Sequence, residues 1–480
     1  MQVRLAYAGP TGMTVSWNTF SQLSNPSVKY GREPSSLDQT ASSDISITYP
    51  TSLTWNNHVK LQGLVADTVY WYQPQPCNLS SPVYSFKTSR SSGDSTPYSV
   101  AIAADLGLMG SDGLTTHVGD DAANPLGPND LNTIQSLMLN NGTYDFLAHV
   151  GDIAYADYWL KEEIQGFLPN TTIADGAKVY EKLLNEFYDQ MTSISASVPY
   201  MVAPGNHEAN CDNGGTTDTA HNISYDVSIC MPGQTNFTGY INHFRMPSSE
   251  SQGTGNFWYS FDNGMVHYVV FDTETDIGDG RTAPDEPGGA EQEDAGPFGK
   301  MMNSQLQWME RDLKEVDRSK TPWVVALGHR PFYGSAANDS SDLCNDCRLS
   351  IEPLFIKYGV DIVYSGHVHN IERLNPLANM IPDPAGLNNP SAPWYLRNGA
   401  AGHYDGLDPL VLPLVNYSNY ANDMEYSWTR LTFHNCTHVT NEFVASKDGS
   451  VLDKATLFKN RACGAQVVVR NQGETQCYIE

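Results

Sequence analysis

Five short, largely apolar runs in this 480-residue chain each stop at a residue able to bind a metal. Residues 98–104 end in Asp105; residues 146–150 lead through Gly151 to Asp152 and Tyr155; residues 199–203 lead through Gly205 to Asn206 and His207. Residues 323–327 lead through Gly328 to His329, and residues 360–364 through Gly366 to His367 and His369. Such runs read as strands buried on both faces of a sheet, which needs helices packed over it. Two segments at helical spacing can provide that cover: Val179, Tyr180, Leu183, Leu184, Phe187 and Met191, then Leu306, Met309, Leu313 and Val316. Ligands of α/β sheets collect outside the carboxyl ends of strands. A single strand-end Asp more often caps a helix, and a lone His is seldom a ligand, but five such ends in one chain predict a shared site.

The candidate donors Asp105, Asp152, Tyr155, Asn206, His329, His367 and His369 offer only oxygen and nitrogen. Without thiolates, iron–sulfur and Cys-type zinc sites are excluded. Seven ligands exceed the need of one ion, so two metals sharing a bridging carboxylate are expected. A tyrosine, with its ordinary pKa near 10, ionises in acid only beside a strong Lewis acid, and a ferric ion meets that demand better than a divalent one.

The first part of the chain has a different rhythm. Up to about residue 97, short alternating runs (Val3, Leu5, Tyr7; Val15, Trp17; Val28, Tyr30; Val59, Leu61; Tyr70, Tyr72; Tyr84, Phe86) are separated by Gly, Pro, Ser and Asn, the signature of a β-sandwich. Residues 64–70 resemble the leucine-to-tyrosine crossing of fibronectin type III domains. His58 reads as a surface strand residue, and residues 90–97 as a polar linker. The expected organisation is a fibronectin III-like sandwich with linker over 1–97 and an α/β domain of layered sheets flanked by helices over 98–480. Within the second part, residues 257–261 and 265–271 predict a hairpin turning at Asp262-Asn263-Gly264, with His267 packed or facing water. Residues 276–299 read as an acidic surface loop, and strands over 428–433 and 439–445 are expected to close the chain.

A net charge of −27 disfavours nucleic acid and anionic membrane surfaces as partners. No stretch is long and apolar enough for a membrane-spanning helix. Residues 1–7 alternate like a first strand, so any secretory signal is expected to lie outside this chain. Export is argued instead from eight glycosylation sequons, at Asn78, Asn141, Asn170, Asn222, Asn236, Asn338, Asn416 and Asn435. Eight cysteines form an even set suited to disulfides in an oxidising compartment. Cys344-x-x-Cys347 has no second cysteine pair at metal spacing and is expected to be a disulfide; Cys463 and Cys477 are expected to form a local staple.

The motif blocks Asp105, GDIAY (151–155), GNHE (205–208), LGHR (327–330) and GHVH (366–369) resemble, in order, those of the purple acid phosphatases within the calcineurin-like metallophosphoesterases. The preceding sandwich is similar to that of the larger plant and fungal enzymes. The resemblance implies a ferric site of Asp105, Tyr155 and His369, a divalent site (iron, zinc or manganese) of Asn206, His329 and His367, and Asp152 bridging them. The usual Asp-x-His of the superfamily is Asp105-Leu106-Gly107 here, which with Tyr155 places the chain in the purple branch. The ions outweigh the ionised ligands and a bridging hydroxide by about one positive charge, so the centre is locally cationic within an acidic shell.

The implied activity is hydrolysis of small phosphate monoesters, phytate being one candidate, by a hydroxide held on the metal pair, with an acidic optimum. His207 is the expected phosphate contact or leaving-group acid. Plant members carry substrate-side histidines after the His329 block, and this chain has none between His329 and His367. Arg330 and Tyr333 are the candidates for that outer pocket, Asp157 for support, and His403 for a pocket wall. The alternatives are a phosphodiesterase of the same fold and a non-catalytic glycosylated metal-binding protein.

Overall fold

The computed structural model describes residues 1–76, 82–110, 126–127, 129–164, 168, 172–209, 217–218, 223–224, 231–281, 298, 303–335, 342–402 and 406–463. Two antiparallel four-stranded sheets build the N-terminal sandwich. One runs Arg4–Tyr7, Met13–Thr19, Trp55–Leu61, Ser46–Ile47; the other runs Gln39–Ser42, Ser27–Gly31, Val69–Gln75, Tyr84–Lys87. Alternate residues Val15, Trp17, Val59 and Leu61 meet Val28, Tyr72 and Phe86 in the core. The polar alternates of the first sheet are buried too, because its outer face packs on the rest of the chain. Tyr7 sits with its ring 5.8 Å from Phe146 and 5.7 Å from Phe261, and Arg4 donates to His243 O at 2.9 Å. His58 is therefore not a surface residue: it is 2% exposed, bonded to Ser16 Oγ at 2.8 Å and Asn242 O at 3.0 Å. The polar linker is likewise anchored, with Arg90 forked onto Asp145.

Beyond Tyr98 two larger sheets face each other. In the first, Tyr200–Ala203, Leu147–Val150 and Tyr98–Ala103 are parallel neighbours, extended by antiparallel Ser427–Phe433, His438–Ala445 and Val451–Phe458. In the second, Val266–Val270, Trp323–Leu327, Ile362–Ser365 and Trp394–Asn398 are parallel, with antiparallel strands at both margins. The five motif strands thus divide three and two. The sheets are joined through Tyr98 Oη and Tyr268 Oη, 3.0 Å apart, through the Phe146 and Tyr268 rings at 5.0 Å, and through the Tyr364 and Thr429 hydroxyls. Helices Gly176–Ser195 and Ser304–Glu315 form where the apolar spacing predicts them. No helix among the described residues is long and apolar enough to cross a membrane.

Two further local readings are corrected. The hairpin turns at Gly264–Met265, where Gly264 takes φ +58°, so Asp262 and Asn263 belong to the strand Tyr259–Asn263. Cys463 pairs with Cys436, because the strand Val451–Phe458 returns the chain to the 434–437 turn, where Lys459 N–H bonds Thr437 O at 2.9 Å. Cys477 lies outside the described residues, as does most of the 276–299 loop. Cys344 and Cys347 are joined as expected, at the start of the helix Asn345–Tyr358.

His267 is packed, as one of the two expected outcomes has it, and it has charged partners. It bridges Asp262 of the neighbouring strand at 2.7 Å and Asp312 of the helix Ser304–Glu315 at 3.0 Å. Burial opposes its charge, but the two carboxylates override that and push its pKa up to about 9. A folded-state pKa above the unfolded value gives stability that is full below about 6.5 and lost as pH rises through 9. His267→Ala is expected to cost about 3 kcal/mol at pH 6. Urea unfolding should show a smaller wild-type-to-variant gap at pH 9.5, and a pH-independent gap would refute the charged pairing.

Candidate metal centre

The carboxyl ends of the two sheets converge, and the seven predicted donors arrive there together. Asp105, Asp152, Tyr155 and His367 all have left-handed backbones, with φ of +59°, +51°, +49° and +71°. Such conformations are costly for residues with a Cβ and persist where the surroundings fix them, typically at functional sites. Close approach is secured by missing side chains: a Cβ on Gly205 would collide with Asp152 Oδ1, and one on Gly366 with Asp105 Oδ2.

Each carboxylate spends one oxygen on a backbone amide and presents the other. Asp105 Oδ2 accepts the His367 N–H at 2.8 Å and Asp152 Oδ1 accepts the His207 N–H at 3.0 Å. The remaining oxygens meet Tyr155, whose Oη lies 3.0 Å from Asp105 Oδ1, 3.1 Å from Asp152 Oδ2 and 3.0 Å from His369 Nε2. A second group shares the same Asp152 oxygen. His329 Nε2 is 3.0 Å from Asp152 Oδ2 and 3.1 Å from Asn206 Oδ1, and His367 Nδ1 is 3.1 Å from Asn206 Oδ1 and 3.2 Å from His329 Nε2. His329 turns this nitrogen inward because Nδ1 bonds Val150 O at 3.0 Å.

These separations test whether metals fit. Ligands about 2.1 Å from an octahedral ion lie about 3 Å from their neighbours, which is the spacing within both groups. Asp152, His329 and His367 alone bring ligand atoms within 4.8 Å of one another. The donor set is hard to borderline, oxygen and nitrogen only.

Electrostatics make the same demand. Burial, then Asp105 and Asp152, push the Tyr155 phenol well above its usual range, so without a cation it stays protonated. Burial would also raise Asp152, but His329, His207 and His367 hold it well below the usual carboxylate range. His329 answers in kind: burial lowers it, yet Asp152 pulls it up to about 10. A bound cation would take over the charge balance that these histidines provide.

His207 stands at the edge of the cluster. Its Nδ1 lies 2.6 Å from Asp157 Oδ2 and its Nε2 lies 3.9 Å from Asp152 Oδ2. The ring packs against both Tyr155 and Tyr158, with centroids 4.3 and 5.1 Å away, and those two rings stack on each other at 5.4 Å. Arg330 is buried, doubly bonded through Nε to Glu274, with Nη1 3.2 Å from His367 Nε2. Tyr333 is turned elsewhere: its hydroxyl donates to Glu352 at 2.7 Å and its ring packs on Tyr395. His403 lies outside the described residues, as do Asn78, Asn170, Asn222 and Asn338. Asn141, Asn236, Asn416 and Asn435 are exposed.

Two supporting carboxylates escape the sequence reading. Glu208 accepts the amides of Asp152, Ile153 and Gly205 at 2.9, 2.8 and 2.9 Å, tying two motif loops together, and burial with Asp152 pushes its pKa up to about 8. Asp408 accepts the His369 N–H at 2.7 Å. Glu208 stands inside the GNHE block and was open to notice there; Asp408 comes from a distant segment with no motif.

The chain is similar to known proteins along its length. Residues 98–370 match the family profile described as calcineurin-like phosphoesterase, residues 1–88 the purple acid phosphatase N-terminal domain, and residues 392–454 the iron/zinc purple acid phosphatase-like protein C. Among curated relatives, acid phosphatase A of Cryphonectria parasitica is 38% identical over 96% of this chain and 92% of its own length. An acid phosphatase of Aspergillus ficuum is 32% identical over 95% and 86%. The purple acid phosphatase PPD1 from yellow lupin (Lupinus luteus) seeds superposes with a TM-score of 0.70 over 98% of this chain and 78% of that one, at 22% identity, a likeness of fold.

Proposed function

This chain belongs to the purple acid phosphatases of the calcineurin-like phosphoesterases, and from that membership we propose how its residues divide the work of an acid phosphatase. The observation that carries the reading is the single Asp152 oxygen standing 3.1 Å from Tyr155 Oη and 3.0 Å from His329 Nε2, a carboxylate common to two donor groups. Asp105, Tyr155 and His369 would hold Fe(III); Asn206, His329 and His367 a divalent iron, zinc or manganese; Asp152 both. When bound, the pair supplies the nucleophile and neutralises phosphoryl charge.

The chain's own residues do the rest. Asp157 accepts from the His207 Nδ1–H and the Tyr155 and Tyr158 rings fix its plane, so Nε2 is directed toward the cluster, where the imidazolium form can give its proton to the leaving alcohol. Arg330, locked on Glu274, holds a guanidinium nitrogen against His367 Nε2 and so fixes that ring. Glu208 and Asp408 keep the ligand loops in place. We read residues 1–97 as the sandwich with linker and 98–480 as the catalytic domain. Four exposed sequon asparagines and two disulfides support a secreted glycoprotein.

The test compares a chromogenic phosphate monoester with the diester of the same alcohol across pH. The monoester is expected to be turned over faster, with the maximum in acid. A preference for the diester would refute the monoesterase reading, and a maximum above pH 8 would refute the acid one.

A further inference from the structure

A cavity of about 450 Å³ lies away from the metal centre, where the sandwich, the linker and the catalytic sheets meet. Lys87, Arg90, Ser99, Tyr144, Ser197 and Thr432 are among its walls. One edge is itself a sequon, since Asn141, Gly142 and Thr143 all line the space. Asn141 is exposed, and its Nδ2, the atom that would take a sugar, donates to Ser197 Oγ at 2.9 Å. A side-chain amide carries two N–H groups, and glycosylation uses one. The other can keep the Ser197 bond, which would then aim the sugar along the cavity wall.

The loop is fixed enough for that aim to matter. Gly142 takes φ +92°, and Asn140 O accepts both the Thr143 amide at 3.0 Å and its hydroxyl at 2.8 Å. The wall has hydroxyls in Ser99 and Thr432, bonded to each other at 2.8 Å, and an aromatic ring in Tyr144. Its cations are already paired, Lys87 with Asp67 and Arg90 with Asp145, which disfavours a free anion as occupant. The volume is that of a small-ligand pocket, about 300–1,000 Å³. Asn236, Asn416 and Asn435 have no part in this cavity.

We propose that the cleft is the seat of the protein's own N-linked glycan at Asn141, whose first N-acetylglucosamine lies between the sandwich and the catalytic sheets and holds them together. The inference rests on the secreted-glycoprotein reading above. It is tested on protein secreted from a glycosylating eukaryotic host, treated while folded with an endoglycosidase that cuts between the two core N-acetylglucosamines. Site-resolved mass spectrometry should find trimming at Asn141 slower than at Asn416 and Asn435 by about tenfold or more, the difference vanishing after unfolding. Thr143→Ala, which removes the sequon, should lower the thermal midpoint, whereas Thr143→Ser, which keeps sequon and hydroxyl, should not. Equal trimming at all sites, or an Asn141 without glycan while other sequons carry one, overturns the proposal alone. Bare asparagines at every sequon would overturn the secreted-glycoprotein reading and this proposal with it.

Discussion

Asp152→Asn is expected to leave a folded protein whose kcat/KM on a phosphate monoester is lower by about 10³-fold or more, with metal content falling below two ions per chain. The substitution is nearly isosteric, so the contact with Gly205 and the bond from the His207 amide to Oδ1 survive. What is lost is charge on the one oxygen that both donor groups share. An amide is a neutral and weaker ligand, and if its nitrogen faces the cluster it presents donors to Tyr155 and His329. Replacing Asn206 or His369 removes a ligand from one group only, so a smaller loss of metal, near one ion per chain, is expected from each. Metal analysis of the purified variants beside their kinetics and circular dichroism decides it. A folded Asp152→Asn enzyme with two ions and ordinary turnover would remove Asp152 from the bridging position.

The seven residues that meet at the strand ends were legible because a shared site leaves its mark locally. An apolar run and a strand-end donor recur together at 105, 152, 206, 329 and 367, with a glycine directly before the donor at the last four. The glycines are part of the same signal, since Gly205 and Gly366 vacate the volume that the carboxylates fill. Residues that serve the donors at a distance leave no such mark. Asp408 reaches the His369 amide from 39 positions away, and nothing in the residues around it distinguishes it from a loop carboxylate. Alternation reports which residues share a strand face but not what covers that face, so neither the burial of His58 nor the partners of His267 can be read from it. One lies under the catalytic unit beside Asn242, the other under the helix carrying Asp312. The division of five strands between two sheets was equally hidden, because parallel strands look alike whichever sheet they join.

Tyr155→Phe is expected to abolish visible colour while leaving the fold intact. For a phenol of ordinary pKa near 10 to be ionised at pH 5, something must favour the phenolate by about 7 kcal/mol. The protein works against this, since burial and the two neighbouring carboxylates all disfavour the charge. The stabilisation must come from a cation, and a trivalent one fits the size of the demand best. Wild-type protein loaded with iron is therefore expected to be violet through tyrosinate-to-ferric charge transfer, and the Phe variant colourless. The ring of Phe can keep the packing against Tyr158 and His207, so a change in colour with an unchanged thermal midpoint isolates the hydroxyl. With Asp105, His369 and Asp152 alone, the site should also bind iron more weakly, by about tenfold or more. Absorption spectra and iron content of the two proteins, prepared side by side, test both effects. A colourless wild type carrying two zinc ions would refute the ferric assignment and leave the hydrolase standing, because Asn206, His329, His367 and the shared Asp152 oxygen make no demand for a trivalent ion.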